Sequence, residues 1–398
     1  MVDADAGPGW SLYEIAALAD PHSAWRAIRE ESPVLDAGEG VYFVTRWDLV
    51  DGLLRDARHG AGFGVSASFG ATEGLGAEVM RAWLMSIDGP AQSRTRRLVD
   101  RAFTPRRIEA LQPLVQETAD ALVGAIEERV EEAEPVDLIA DLAFALPSEV
   151  IRSLFGTPTE VWQSEVLPHV LEPADGLGMI EGLARHFEAV LEQKDVRPGL
   201  LDQLGTEDPA LGALSRLEVV ANAVLLVTAA IDTTAGLIGN AIHCLLDRPT
   251  VLAAVRGGKV GVGNVVEETL RFEPPALSCT RTAGFDLELE GVAIPAGSQL
   301  LLGLAAANRD PARFPDPDLF DPRREGGGLL SFGGGRHFCL GAGLARMEAR
   351  IALERLFLRG RFDFERIEPP VWQQKSPTVR ALERLLVRIQ RRTTQGER

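Results

Sequence analysis

Apolar residues recur at intervals of three and four along most of this chain, and alternate with polar ones only in short pieces. The first period predicts helices and the second strands. From Pro90 to Glu132 the spacing is helical, and Pro105, behind Thr104, suits the first position of a new helix. Residues 215–246 form the longest helical candidate. Ser215 and Glu218 have capping-box spacing at its start. The stretch is apolar nearly all round, which predicts a helix running through the core rather than over it. A polar triplet, Asp232-Thr233-Thr234, interrupts it in the middle. A further helix, "GNVVEETLRFEPP" (residues 263–275), ends at Pro274-Pro275, and another follows at about 342–359. Alternation is confined to "GVYFVTRW" (residues 40–47) and to residues 285–310, where turns are expected at Glu290-Gly291 and Pro295-Ala296-Gly297. Residues 60–80, rich in glycine, serine and alanine, read as a long mobile loop of the kind that often carries function. The pattern predicts a mainly α chain with a minor antiparallel β part.

Composition narrows this reading. The 398 residues are 45% hydrophobic and 25% charged, as in an ordinary globular protein large enough to bury its own core. A net charge of −17 argues against non-specific binding to nucleic acid or an anionic membrane. The amino terminus has no basic stretch followed by an apolar core, and no uninterrupted apolar run of about 18 residues occurs, so neither a leader nor a membrane span is expected. Three cysteines, Cys244, Cys279 and Cys339, stand at no disulfide spacing. Free thiols and a cytoplasmic location are the expectation.

Chemistry concentrates in four places. Cys339 follows Gly333-Gly334-Gly335-Arg336-His337-Phe338 and precedes a helix. Zinc would need companion ligands that no spacing here provides. One thiolate suffices as the axial ligand of a haem, and a buried inert cysteine is the competing reading. The glycines at 333, 334, 335, 341 and 343 would let backbone approach a flat macrocycle, and Arg336 and His337 would meet its carboxylates. In the central helix, a Thr233 hydroxyl can bond back to the Ala229 carbonyl and open a groove beside Asp232. Glu268 and Arg271 have the i, i+3 spacing of one helix face, which alone most often means a surface ion pair. Residues 94–107 hold six arginines (94, 96, 97, 101, 106 and 107) within an acidic protein.

The run Phe332-Gly-Gly-Gly-Arg-His-Phe-Cys-Leu-Gly341 resembles the haem-binding signature of the cytochrome P450 family, the haem-thiolate monooxygenases. The resemblance runs from about residue 86 to the end. It implies one large domain over residues 1–398, with a β-rich minor lobe roughly at 30–60, 280–305 and 375–390. It implies haem b (Fe-protoporphyrin IX), with Cys339 as the iron ligand and Phe332, Gly333, His337 and Gly341 around it. Ala229-Ala230-Ile231-Asp232-Thr233 aligns with the family's oxygen-activation motif. Thr233 would steady dioxygen and its waters, and Asp232 would relay protons. Ala230 stands where glycine is usual, which narrows the groove. Arg96 and Arg281 match propionate-binding arginines, while Gln92 stands where a propionate-binding histidine is common. Arg324 joins Glu268 and Arg271 in a network under the ligand loop.

The implied reaction places one oxygen atom of dioxygen in an apolar small molecule, a natural product or xenobiotic. Electrons would come from a separate ferredoxin or flavodoxin docking near Arg94, Arg96, Arg97 and Arg101. A peroxide-driven peroxygenase and a haem-based sensor are the alternatives. The expected substrate wall is Phe63, Phe69, Met85, Leu177, Met179, Ile231, Thr234, Leu277 and Val379. A monomer is expected.

Overall fold

This computed structural model describes residues 15, 18, 20–61, 73–131, 134–171, 176–192, 199–359, 362–374, 376 and 378–391. The body is organised on a central helix, Arg216–Leu246, which at about 1.5 Å per residue spans roughly 46 Å. Its capping box is formed: the Glu218 N–H donates to Ser215 Oγ, and the Ser215 N–H donates to the Glu218 carboxylate at 2.7 Å. Two core clusters divide the helix. Val219 to Ile231 pack with Met80, Trp83, Ile180 and Phe187, and Leu237 to Leu245 pack with Leu142, Val265, Ile351 and Leu356. The polar triplet falls at the junction between them. This helix has the length and apolarity of a membrane span, despite lacking an uninterrupted apolar run. Yet 67% of its most apolar stretch is buried inside the protein.

Helices Ala145–Phe155, Gly176–Glu192, Val262–Phe272 and Ala342–Leu353 pack directly on it. Gln112–Glu131 lies across the first and last of these. Pro105 opens Pro105–Ala110 as expected. The supposed loop at 60–80 is corrected at its far end: Leu75–Arg81 is a helix. Its small residues serve close packing, because a Cβ on Gly76 would collide with Leu177 of Gly176–Glu192. Glycine and alanine there mark contact between helices rather than freedom.

Among the described residues the β part forms four small sheets. In the largest, the strands run in the order Val34–Asp36, Val41–Val44, Gln299–Leu302, Cys279–Thr282. Val41–Val44 pairs with Gln299–Leu302 in parallel, and every other pairing among the described residues is antiparallel. A parallel pair needs a long crossover. Here the helical body supplies it, a relation that no local pattern reveals. Glu290 (φ 51°) and Gly291 (φ 80°) make the tight turn between Leu287–Leu289 and Val292–Ile294. The expected β-rich segments also recruit Val136–Asp137 and Phe362–Arg366, which flank Leu386–Arg391.

Candidate active site

The Cys339 loop is a short helical turn, Gly335–His337, leading into Ala342–Leu353. The Cys339 N–H donates to the Phe332 carbonyl at 2.9 Å, closing the loop on itself. Gly333 (φ 68°) and Gly335 (φ 65°) adopt the left-handed backbone this requires. Clearance explains only part of the glycine pattern. A Cβ on Gly335 would strike the Leu54 carbonyl, one on Gly334 would crowd the Leu54 side chain at 3.2 Å, and one on Gly343 would press Ile108 at 3.2 Å. Those three glycines make room for the protein itself, while Gly333 and Gly341 face open space. Cys339 is exposed, whereas Cys244 is buried with its thiol pushed up to about 12 by burial. The protein around Cys339 also raises its thiol, and the N–H groups of Gly341 and Ala342 with the charges of Arg96 and Arg346 pull it back. The Arg346 guanidinium covers the Phe332 ring at 4.4 Å.

Around this loop the polar groups divide into committed and available. Arg336 is bonded within the protein. It donates to the carbonyls of Ala57 and His59 and lies 3.7 Å from Asp88. Gln92 is 2% exposed and donates to the Arg336 carbonyl at 3.0 Å. Arg96 binds Asp100 at 2.7 Å and the Phe338 carbonyl at 2.8 Å, and its Nη2 has no hydrogen bond among the described residues. Arg281 is buried, donating to Thr280 at 2.8 Å and, at a long 3.5 Å, to the Gly334 carbonyl. His337 Nε2 is buried with no hydrogen bond. The nearest acid, Asp88, stands 3.6 Å away, beyond bonding distance. Burial and the Arg281 charge push His337 down to about 4, so its imidazole is neutral. An orphaned imidazole and guanidinium donors with spare capacity, beside an exposed thiol, fit a flat metal-bearing group with carboxylate arms.

Facing chemistry of another kind comes from the central helix. The Thr233 hydroxyl donates to the Ala229 carbonyl at 2.6 Å, as the spacing predicts. Ala229 and Asp232 are exposed, Ala230 and Thr233 are half-buried, and Ile231 and Thr234 are buried. The helix is continuous through Ala230, so the added methyl does not break it. An exposed carboxylate and a half-buried alcohol thus sit midway along a mostly buried helix.

The Glu-x-x-Arg pair is no surface pair. Glu268 and Arg271 are 4% and 2% exposed and meet in a bidentate ion pair at 2.7 and 2.9 Å. Arg271 also donates to the carbonyls of Asn308, Pro317 and Leu319. Arg324 approaches Glu268 at 3.7 Å and donates to the carbonyls of Pro315, Asp316 and Leu319. Asn308, which no motif marks, carries this network to the cysteine loop. Its side chain accepts from the Leu330 N–H and donates to Ser331 Oγ, both at 2.7 Å. A second buried hub, also unmarked in the sequence, joins Glu273 to His22 at 3.2 Å and to Arg380.

The substrate-wall residues are only partly united. The Leu277 N–H donates to Thr378 at 2.8 Å and Ala276 bridges Val379, so these two segments meet. Gly236, two residues beyond Thr234, packs on Pro275 and Ala381. Leu177 lies under Gly76, and Leu177, Met179 and Ile231 share one cluster. Met85 is exposed. Phe63 and Phe69 lie outside the described residues. In the arginine patch, Arg94 is tied to Glu218 at 2.9 Å and to the carbonyls of Leu211 and Ala213, bracing the start of the central helix.

Fold and donor set together define a haem protein built for oxygen chemistry. A family model described as Cytochrome P450 matches residues 262–384. The chain is 36% identical over 400 residues to cytochrome P450 monooxygenase PikC of Streptomyces venezuelae, covering 96% of this chain and 94% of that one. It is 37% identical over 366 residues to the vitamin D(3) 25-hydroxylase of Pseudonocardia autotrophica, covering 87% and 88%. Cytochrome P450 CYP109Q5 from Chondromyces apiculatus superposes with a TM-score of 0.84 at 30% identity, covering 96% of this chain and 98% of that one. The chain belongs to the cytochrome P450 family. It is a haem b monooxygenase of small molecules, and proteins of this kind from bacteria draw electrons from ferredoxin partners.

Proposed function

We propose that Cys339 is the sulfur ligand of the haem, that Arg281, His337 and Arg96 receive its carboxylates, and that Asp232 and Thr233 manage protons for oxygen activation. When bound, haem b supplies the redox chemistry that splits dioxygen, which a cysteine thiolate promotes. The observation that carries the reading is the open middle of the central helix. Thr233 spends its hydrogen on Ala229, so its oxygen is left as an acceptor for a protonated group or a water. Asp232, exposed beside it, can take protons from solvent and pass them on. The charge network of Glu268, Arg271 and Arg324 is structural.

The substrate is an apolar small molecule resting against Ile231, Thr234, Leu277 and Val379. Relatives named for vitamin D(3) and 6-deoxyerythronolide B, and a neighbouring structure holding testosterone, support that class. A ferredoxin or flavodoxin docks by Arg96, Arg97 and Arg101, with the exposed Phe338 ring beside them. With testosterone as a turned-over probe, Thr233→Ala is expected to lower product formed per dioxygen consumed by about tenfold or more. An unchanged ratio rejects the role given to Thr233.

A further inference from the structure

The helix Gly89–Asp100 reaches the cysteine loop through two side chains one turn apart. Gln92 donates to the Arg336 carbonyl at 3.0 Å and Arg96 donates to the Phe338 carbonyl at 2.8 Å. The two accepting carbonyls flank His337, and the second belongs to the residue just before Cys339. We propose that Gln92 is a positioning residue for the cysteine ligand: it holds the loop backbone, not the haem carboxylate that the sequence resemblance assigns to its position. The proposal rests on Cys339 being the ligand.

Three observations carry it. Gln92 is 2% exposed, so its amide is committed where it lies, and losing the bond would leave the part-buried Arg336 carbonyl without this donor. The helix begins at Gly89 with φ 63°, a left-handed start that sets how the Gln92 side chain is aimed at the loop. Asp88, just before it, accepts from the Ala61 N–H at 2.6 Å and lies 3.7 Å from Arg336, tying the same corner from the other side. A neutral carboxamide makes this bond without a charge to desolvate, so the hold does not depend on pH. The consequence lies at the sulfur. The loop's path from Arg336 to Phe338 fixes where Cys339 stands relative to the N–H groups of Gly341 and Ala342. Hydrogen bonds to a ligating sulfur set its electron donation.

The test compares Gln92→Met, of similar length but without a donor, with Gln92→His, which restores an N–H. Both are made in the holoenzyme. Hydrogen exchange is followed in residues 333–341, together with the haem midpoint potential and the rate of haem transfer to apomyoglobin. Q92M is expected to speed exchange of the loop amides about threefold to tenfold, the size of one lost neutral hydrogen bond. It should shift the midpoint potential and leave haem transfer unchanged, and Q92H should recover part of both changes. Faster haem transfer with loop exchange and potential unchanged would show a carboxylate-binding residue and overturn the proposal. No change in any readout also overturns it. Should Q92M fail to load haem, loop exchange in Q92H against wild type decides alone: wild-type protection supports the proposal and full loss refutes it. A wild-type protein without thiolate ligation fails at the earlier reading instead, and its carbonyl spectrum shows which.

Discussion

The cysteine loop receives side-chain bonds from Gln92, Arg96 and Arg281, and Asn308 pins its first residues. The Ala229–Thr233 stretch of the central helix is held by its own backbone, and Thr233 adds a bond to the Ala229 carbonyl. The loop is fixed from several distant segments, whereas the other stretch lies within one continuous helix. The difference suits the roles proposed for them, a ligand on the loop and proton-handling groups on the helix. A metal ligand works by staying at one distance, so distant segments converge to hold its loop. Groups that move protons need access to water and substrate, and Asp232 is exposed with Thr233 half-buried beside it where the two core clusters part.

The contrast can be broken most severely at Glu268. Glu268→Ala leaves Arg271 buried without its carboxylate, which costs about 3–5 kcal/mol. The expected result is a large fall in the urea midpoint and poor haem incorporation. Asn308→Ala should act on the same side more gently, at about 1–3 kcal/mol for the orphaned Leu330 N–H. Its loss should speed hydrogen exchange at residues 330–339 before any global unfolding. Asp232→Asn, at an exposed position, makes the opposite case: stability should move less than in Asn308→Ala while product formation collapses. If Asp232→Asn destabilises as much as Asn308→Ala, the two sides are not built differently.

Behind the loop, Glu348 sharpens the same point through pH. It is 2% exposed, one carboxyl oxygen has no hydrogen bond, and burial pushes its pKa up to about 8. An acid raised on folding binds more protons when folded. Its contribution to stability is therefore complete below about 4.5 and is lost as pH rises toward about 8. Glu348→Gln should flatten the fall in melting temperature across that window and make the variant the more stable protein at its alkaline end. Parallel curves for both proteins would show that Glu348 is ionised in place. The smallest effect is expected at the surface. Arg101 already pairs with Asp208 at 3.2 Å, so Arg101→Glu should weaken ferredoxin binding only severalfold, and less at high salt. A salt-independent affinity would move the docking site elsewhere.

Legibility in the sequence follows the reach of each interaction. The capping box of Ser215 and Glu218, the Thr233 bond to Ala229 and the Glu268–Arg271 pair lie within four residues, and their spacing announced them. The Phe332–Gly341 run was legible through its resemblance to the haem-binding signature of the family, and its loop is also local, closed by its own backbone. Asn308, the Glu273 hub and the commitment of Gln92 and Arg336 were not. Each joins segments tens or hundreds of residues apart, and an isolated polar residue gives no sign of which distant carbonyl it will meet. Gly334, Gly335 and Gly343 were read as clearance for a cofactor, yet Leu54 and Ile108 set that requirement. A small residue declares that something comes close, without saying what.

The most direct test of the account is the carbon-monoxide difference spectrum of the reduced protein. The account predicts the Soret maximum of a thiolate-ligated haem in the wild type, lost in Cys339→Ser while the fold persists. A histidine-type maximum in the wild type, or a thiolate-type maximum surviving in Cys339→Ser, would contradict it.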